Sequence, residues 1–240
     1  YIRKNLDIID TLLENGKELN DKDFNRLSTI KQLYEQQKYM RDNRTHHVDD
    51  RIVSLSQPHI RPIVRGKAKA KVEFGAKLDI SVVDGWTRLE KQSFDAYNES
   101  STLIDAIERD KQRTGSYPER VLADKIYRNR DNLNFCKELN IHLSGPALGR
   151  PKKDEIRNKR QDYIDENERI EVERKFSLAK RKCGMGMIMT KLPVTAMHSI
   201  AMSIIILNLR KVLYTLFNLL DYLFHFLRLR EYQKNLLFVQ

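Results

Sequence analysis

Cysteine is scarce in this chain: two residues in 240, Cys136 and Cys183. Neither sits in a Cys-x-x-Cys pair, so no zinc knuckle and no disulfide framework is available. Reduced thiols, the ordinary state in a cytosolic protein, are expected. No signal peptide is visible in the opening YIRKNLDIIDTLLEN, which is amphipathic and charged. The paired histidines His46 and His47 would point apart on an extended chain, and no carboxylate pattern converges on them, so they read as loop residues rather than metal ligands. No conventional helix-turn-helix is visible. Long hydrophobic runs are rare: the uncharged run Leu192 to Leu209 holds Pro193, His198, Ser199 and Asn208. It falls just short of the ~20 mostly apolar residues of a membrane span. A buried core helix is the favoured reading of it.

Acidic residues are outnumbered, 33 Asp and Glu against 44 Lys and Arg, for a net charge of +11. A polyanionic partner follows, nucleic acid first and an anionic membrane second. Along the chain, Leu6, Ile9 and Leu13, then Leu27, Ile30 and Leu33, recur at helical spacing on either side of Asn15-Gly16. Residues 43–71 read as a long loop whose end carries the cations Arg61, Arg65, Lys67, Lys69 and Lys71. VEFGAKLDISVVDGW alternates Phe74, Ala76, Leu78, Ile80 and Val82 on one strand face, which puts Asp79 on the solvated face. Asp84-Gly85 is a turn into a hairpin partner, with the lone Trp86 packed beside it. A helix capped near Ser100 or Ser101 and stopped by Gly115 comes next. Strand PERVLAD, helix RNRDNLNFCKELN and strand IHLSG complete a mixed α/β pattern. A basic loop with Lys152 and Lys153 opens a long helix through Arg169, and two apolar helices end the chain.

Two acids occupy unusual places. Asp124 ends an apolar strand, where ligands and catalytic groups collect in open α/β sheets, although capping the next helix would suit it equally. Glu173 lies among cations on the long helix, where an intrahelical ion pair is the simplest role. Arg169, Glu173 and Lys180 are four and seven residues apart and project within ~40° of one another on one helix face. A carboxylate between two cations suits a metal-bound phosphate.

The spacing R-x3-E-x6-K at Arg169, Glu173 and Lys180 resembles the signature around the last acid of bacterial insertion-sequence transposases of the DDE class. VLADKIYRNRDN resembles the block around their second acid, and RIVSLSQPHIRPIVRGKAKAKVEFGAKLDISVVDG and LSGPALGRPKK resemble further blocks of one branch. The resemblance covers most of residues 45–212. It implies a ribonuclease H-like mixed sheet with flanking helices. It also implies metal-dependent DNA strand cleavage and transfer. Asp124 and Glu173 would be catalytic acids and metal ligands for Mg²⁺ or Mn²⁺, and Arg169 and Lys180 would contact DNA at the element's ends.

Arg65, Lys67, Lys69, Lys152 and Lys153 are further candidate DNA contacts from the basic loops. The family's tyrosine three residues before the arginine is replaced by Glu166. The strand carrying the family's first aspartate has no counterpart here, and Asp79 and Asp84 are weak substitutes. With Tyr1 in place of a methionine, the expectation is an N-terminally truncated, partial or inactive copy, marginally stable by itself. The expected organisation is a helical segment over 1–44, a partial core over 45–212 and an apolar helical extension over 213–240. Expected partners are transposon-end and target DNA, with a homodimer open, no small-molecule cofactor and no membrane, in the nucleoid-associated cytoplasm. Two alternatives stand beside it: a non-enzymatic basic DNA-binding protein, and a membrane-associated protein anchored by its apolar C-terminus.

Overall fold

A computed structural model describes residues 1–64, 72–145 and 159–236. The chain divides into two compact units. The first comprises Tyr1–Leu78, Gln92–Tyr97 and Thr190–Thr195, and the second Asp79–Lys91, Asn98–Met189 and Ala196–Gln240.

In the first unit, α1 (Ile2–Glu14) and α2 (Asp21–Asp42) form the expected N-terminal helices on either side of Asn15-Gly16. Asn20 caps α2 by accepting from the Asp23 amide at 2.9 Å. The following segment is not all loop: β1 (Arg61–Val64) pairs antiparallel with β2 (Val72–Gly75), Arg61 facing Gly75 and Val64 facing Val72. The branched Ile63 and Val64 favour extension. Pro62 is tolerated because a two-stranded sheet consists of edges. Gln36 holds the connecting chain, accepting from the Ile52 amide at 2.9 Å and donating to the Asp50 carbonyl at 3.2 Å.

The expected continuous strand over residues 72–83 is broken. Gly75, at φ 143, ends β2, and β3 (Lys77–Val83) starts afresh. Phe74, assigned to the inner face, is 63 % exposed, whereas Asp79 is buried. β3 pairs with β4 (Trp86–Ser93) around Asp84-Gly85, whose φ values of 50 and 73 suit the two-residue hairpin turn.

The second unit has its core between α3 (Leu103–Thr114), α4 (Arg130–Glu138) and a parallel pair, β5 (Arg120–Val121) with β6 (His142–Leu143). Leu103, Ile107, Cys136, Ile141 and Leu143 form the buried cluster. Asn98, not a serine, caps the start: its Oδ1 accepts from the Ser100 amide at 3.1 Å, ahead of a 3₁₀ turn leading into α3. Gly115 ends α3 at φ 86, as expected. The strand expected to run to Asp124 stops at Val121.

The described strands make three separate two-stranded sheets, β1–β2, β3–β4 and β5–β6, rather than one mixed sheet. The fold is therefore mixed α/β with small sheets, and among the described residues no strand joins β3–β4 to β5–β6.

The long basic helix is α5 (Lys159–Lys182). The two C-terminal helices expected from the sequence are one, α6 (Pro193–Leu236). Neither Gly nor Pro occurs after Pro193 within it, and the Arg210-Lys211 pair does not interrupt helical hydrogen bonding. Its Pro193–Arg228 stretch contains an 18-residue window of mean hydropathy 1.6, of which 22 % is buried, and is long and apolar enough to cross a membrane by length and composition alone.

Candidate functional site

Asp124 follows β5 in extended conformation and opens the 3₁₀ turn Lys125–Tyr127. Its carboxylate is exposed and accepts from the Lys125 amide at 2.7 Å. The side chain therefore caps a turn and also presents oxygen to solvent. Tyr127 packs against the buried cluster, and its hydroxyl is pushed well above the ordinary phenol range. Burial is the main cause, followed by the fields of Asp79, Glu99 and Asp124. The phenol therefore stays protonated and works through packing and hydrogen bonding.

Asp79 does not behave as a solvated strand residue. It is 8 % exposed and accepts a 2.6 Å hydrogen bond from the Thr102 hydroxyl. Asp84, the other substitute considered for a first acid, sits at the hairpin turn.

Glu173 lies on α5 with its side chain 67 % exposed, 3.5 Å from Arg169 one turn earlier. This is the intrahelical pair that the i,i+4 spacing allows, worth a few tenths of a kcal/mol in water. Lys180 is exposed further along the same helix. The structure thus brings Arg169 and Glu173 together and leaves Asp124 and Glu173 both open to solvent. The remaining DNA-contact candidates, Arg65, Lys67, Lys69, Lys152 and Lys153, lie outside the described residues.

A residue that the sequence did not single out ties α5 to the parallel strands. Asp165, 4 % exposed, accepts from Arg120 at 2.9 Å and from Gln161 at 2.7 Å, and stands 3.5 Å from His142. Arg120 also reaches Glu168 at 2.6 Å. Burial of a carboxylate demands such partners. The signal was available in principle, since Arg120 and His142 face one another on two neighbouring strands. It required knowing that those strands pair in register.

Asp124 and Glu173 supply carboxylate oxygens of the kind that Mg²⁺ and Mn²⁺ take. Among the described residues, however, no group of three or more His, Cys, Asp or Glu side chains forms a ligand set. The described residues therefore do not complete a two-ion site by themselves.

Residues 121–210 match the family described as Transposase DDE domain, and this match supports a DDE transposase. The matched segment contains Asp124, Arg169, Glu173 and Lys180. No curated protein and no solved structure matches the chain.

Proposed function

We propose that this chain is the DNA-processing part of an insertion-sequence transposase, with Asp124 and Glu173 as the acids that face the reacting phosphodiester. The observation that carries the reading is the family match spanning both acids, each exposed and available to a ligand. Arg120 ties β5, which leads to Asp124, to α5, which carries Glu173.

In this reading Arg169 holds Glu173 and, with Lys180, takes non-bridging phosphate oxygens. A divalent ion on Asp124 and Glu173 would polarise the phosphodiester when bound. Because the described residues offer no third acid in a group with these two, strand cleavage by this chain alone is expected to be weak or absent.

The test pairs binding with metal. Duplex DNA should bind with an affinity that falls steeply with salt, and Lys180→Ala should weaken it on all sequences and reduce the salt slope by about 1. Mn²⁺ should bind the wild-type chain and lose at least tenfold in affinity in Asp124→Asn and in Glu173→Gln. DNA binding with no Mn²⁺ site at these residues would replace this reading with that of a non-enzymatic basic DNA-binding protein.

A further inference from the structure

Arg128 carries a charge that no described carboxylate balances. It follows the turn Lys125–Tyr127 and stands one residue before Asn129, the cap of α4. Its side chain runs to the end of β6, where Nη1 donates to the Leu143 carbonyl and, at 2.7 Å, to the Ser144 carbonyl. It lies so close to the backbone there that a Cβ on Gly145 would stand 3.0 Å from its Cδ. Nε is buried without a partner. Nη2 takes no partner among the described residues, and the side chain keeps partial access to solvent.

The titratable group that acts on Arg128 is the buried thiol of Cys136, and burial holds the guanidinium pKa below its usual value. Other arginines of the same unit differ: Arg88, Arg109 and Arg120 meet Asp110, Glu90 and Asp165. A half-buried charge without a counter-ion is costly. Two carbonyls could be served by a neutral amide, without that cost. The charge therefore calls for an anion from outside the described residues.

The backbone sets that charge beside Asp124. The Tyr127 amide returns to the Asp124 carbonyl at 3.0 Å and the Arg128 amide to the Lys125 carbonyl at 3.1 Å, so the chain folds back within one turn. Ser144, whose carbonyl accepts from Arg128, also accepts at Oγ from the Ala123 amide at 3.3 Å and donates its own amide to the Val121 carbonyl at 3.0 Å. Asp124 and the Arg128 guanidinium thus share the carboxyl end of the β5–β6 pair, the edge at which open parallel sheets take ligands. Exposed Lys125 and Arg130 flank them.

We propose that Arg128 binds a backbone phosphate of DNA at this edge, with Nη2 donating to a non-bridging oxygen. That the phosphate belongs to DNA rests on the transposase reading; the anion site itself rests on the geometry of Arg128. Such a bond is charge-assisted. The Leu143 and Ser144 carbonyls hold the guanidinium in place before the ligand arrives, so little side-chain freedom is lost on binding.

The experiment is fluorescence anisotropy of duplex DNA with the full chain over a range of KCl, with far-UV circular dichroism to check folding. Arg128→Gln, whose amide can still donate to the two carbonyls, should bind more weakly on every sequence and flatten the slope of log affinity against log salt by about 1. Arg128→Lys, which keeps the charge, should retain the wild-type slope. Should Arg128→Gln lose its helical signal, arginine modification by phenylglyoxal, mapped by mass spectrometry on the wild-type chain, decides. Duplex DNA should slow the reaction at Arg128 several-fold, and inorganic phosphate at a matched concentration of phosphate groups should slow it less. An unchanged slope in folded Arg128→Gln, or equal reactivity with and without DNA, would overturn the proposal. Protection by inorganic phosphate alone would also overturn it and mark a free-phosphate site. The Mn²⁺ titrations of Asp124→Asn and Glu173→Gln report separately on the transposase reading. A slope flattened by about 1 without a Mn²⁺ site keeps the phosphate contact on a non-enzymatic DNA-binding protein, and a Mn²⁺ site with an unchanged slope removes the contact alone.

Discussion

Asn208 and Thr87 meet as two strands would. The Asn208 Oδ1 accepts from the Thr87 amide at 2.9 Å, and its Nδ2 donates to the Thr87 carbonyl at 2.7 Å. A side-chain amide on α6 therefore occupies one register position on the open edge of β4. Thr87 is 1 % exposed, so water cannot replace these bonds. Beside them Lys211 lies 4.4 Å from the Trp86 ring and donates to the Asp84 carbonyl. The tie holds the hairpin to the helix at a sheet edge that would otherwise stay unpaired.

Asn208→Ala should cost about 2–3 kcal/mol, because two buried backbone groups lose their partners together. Asn208→Asp keeps the acceptor, loses the donor and sets a carboxylate against a carbonyl, so it should not rescue. Hydrogen exchange at the Thr87 amide reads the effect directly, and unchanged protection in Asn208→Ala would refute it.

Glu90 is the charged centre of the hairpin's packing on α3. Its side chain is 2 % exposed and pairs with Arg109 and Arg113, each at 2.9 Å, while Ser81 donates at 2.7 Å. Burial alone would raise its pKa, but the bonds from Arg113, Ser81 and Arg109 outweigh this and hold it below the ordinary carboxylate value. A depressed folded pKa means that the unfolded chain binds the proton first as pH falls. The stabilisation is therefore complete above the unfolded value near 4.5 and is lost as pH falls through the folded one. Glu90→Gln should cost about 1–2 kcal/mol at neutral pH, discounted because both arginines are more than a third exposed. It should also flatten the acid limb of the stability curve, which denaturant melts from pH 7 to 3 would record.

Arg120→Ala should destabilise by about 1–2 kcal/mol, discounted because Arg120 is 40 % exposed, since buried Asp165 would keep only Gln161 and the neighbouring His142. The same change frees the segment leading to Asp124 from α5, so Mn²⁺ affinity should fall as well. Arg120→Lys should restore part of the stability but not the two-carboxylate grip, because an ammonium lacks the planar fork. Equal Mn²⁺ binding in Arg120→Ala and wild type would disconnect the anchor from the site.

Asp79 and Asp124 are predicted to separate cleanly. Asp79→Ala should lower stability by about 1 kcal/mol by removing the buried bond from the Thr102 hydroxyl, which keeps the Glu99 carbonyl as its acceptor, with Mn²⁺ affinity unchanged. Asp124→Asn should leave stability within about 0.5 kcal/mol and abolish Mn²⁺ binding. Metal binding that depends on Asp79 would make it a ligand and remove the structural role argued here.

Much of the local structure was legible. The apolar spacing through Leu6 and Leu13, the Asn15-Gly16 break, the Asp84-Gly85 turn and the Gly115 stop are set by neighbours in sequence, and the structure has them. What failed depended on distant partners. Asp79 alternates like a solvent-facing residue, but Thr102 covers it. Arg61–Val64 pairs with a strand beyond an intervening basic segment, and nothing local announces that pairing. Asp165 looks like one more charge on a charged helix until Arg120 and His142 are brought side by side. Of the candidate site, the Arg169–Glu173 pair could be read from spacing four, whereas the relation of Asp124 to Glu173 depends on how β5 meets α5.

The central claim is that Asp124 and Glu173 serve one divalent ion. Fe²⁺ substituted for Mg²⁺, with ascorbate and peroxide, cuts a polypeptide next to the ion's ligands. The account predicts two cuts, near residues 124 and 173, both suppressed by excess Mg²⁺ and both lost in either Asp124→Asn or Glu173→Gln. Cleavage at only one of the two positions, or a cut at one that survives substitution of the other, would contradict it.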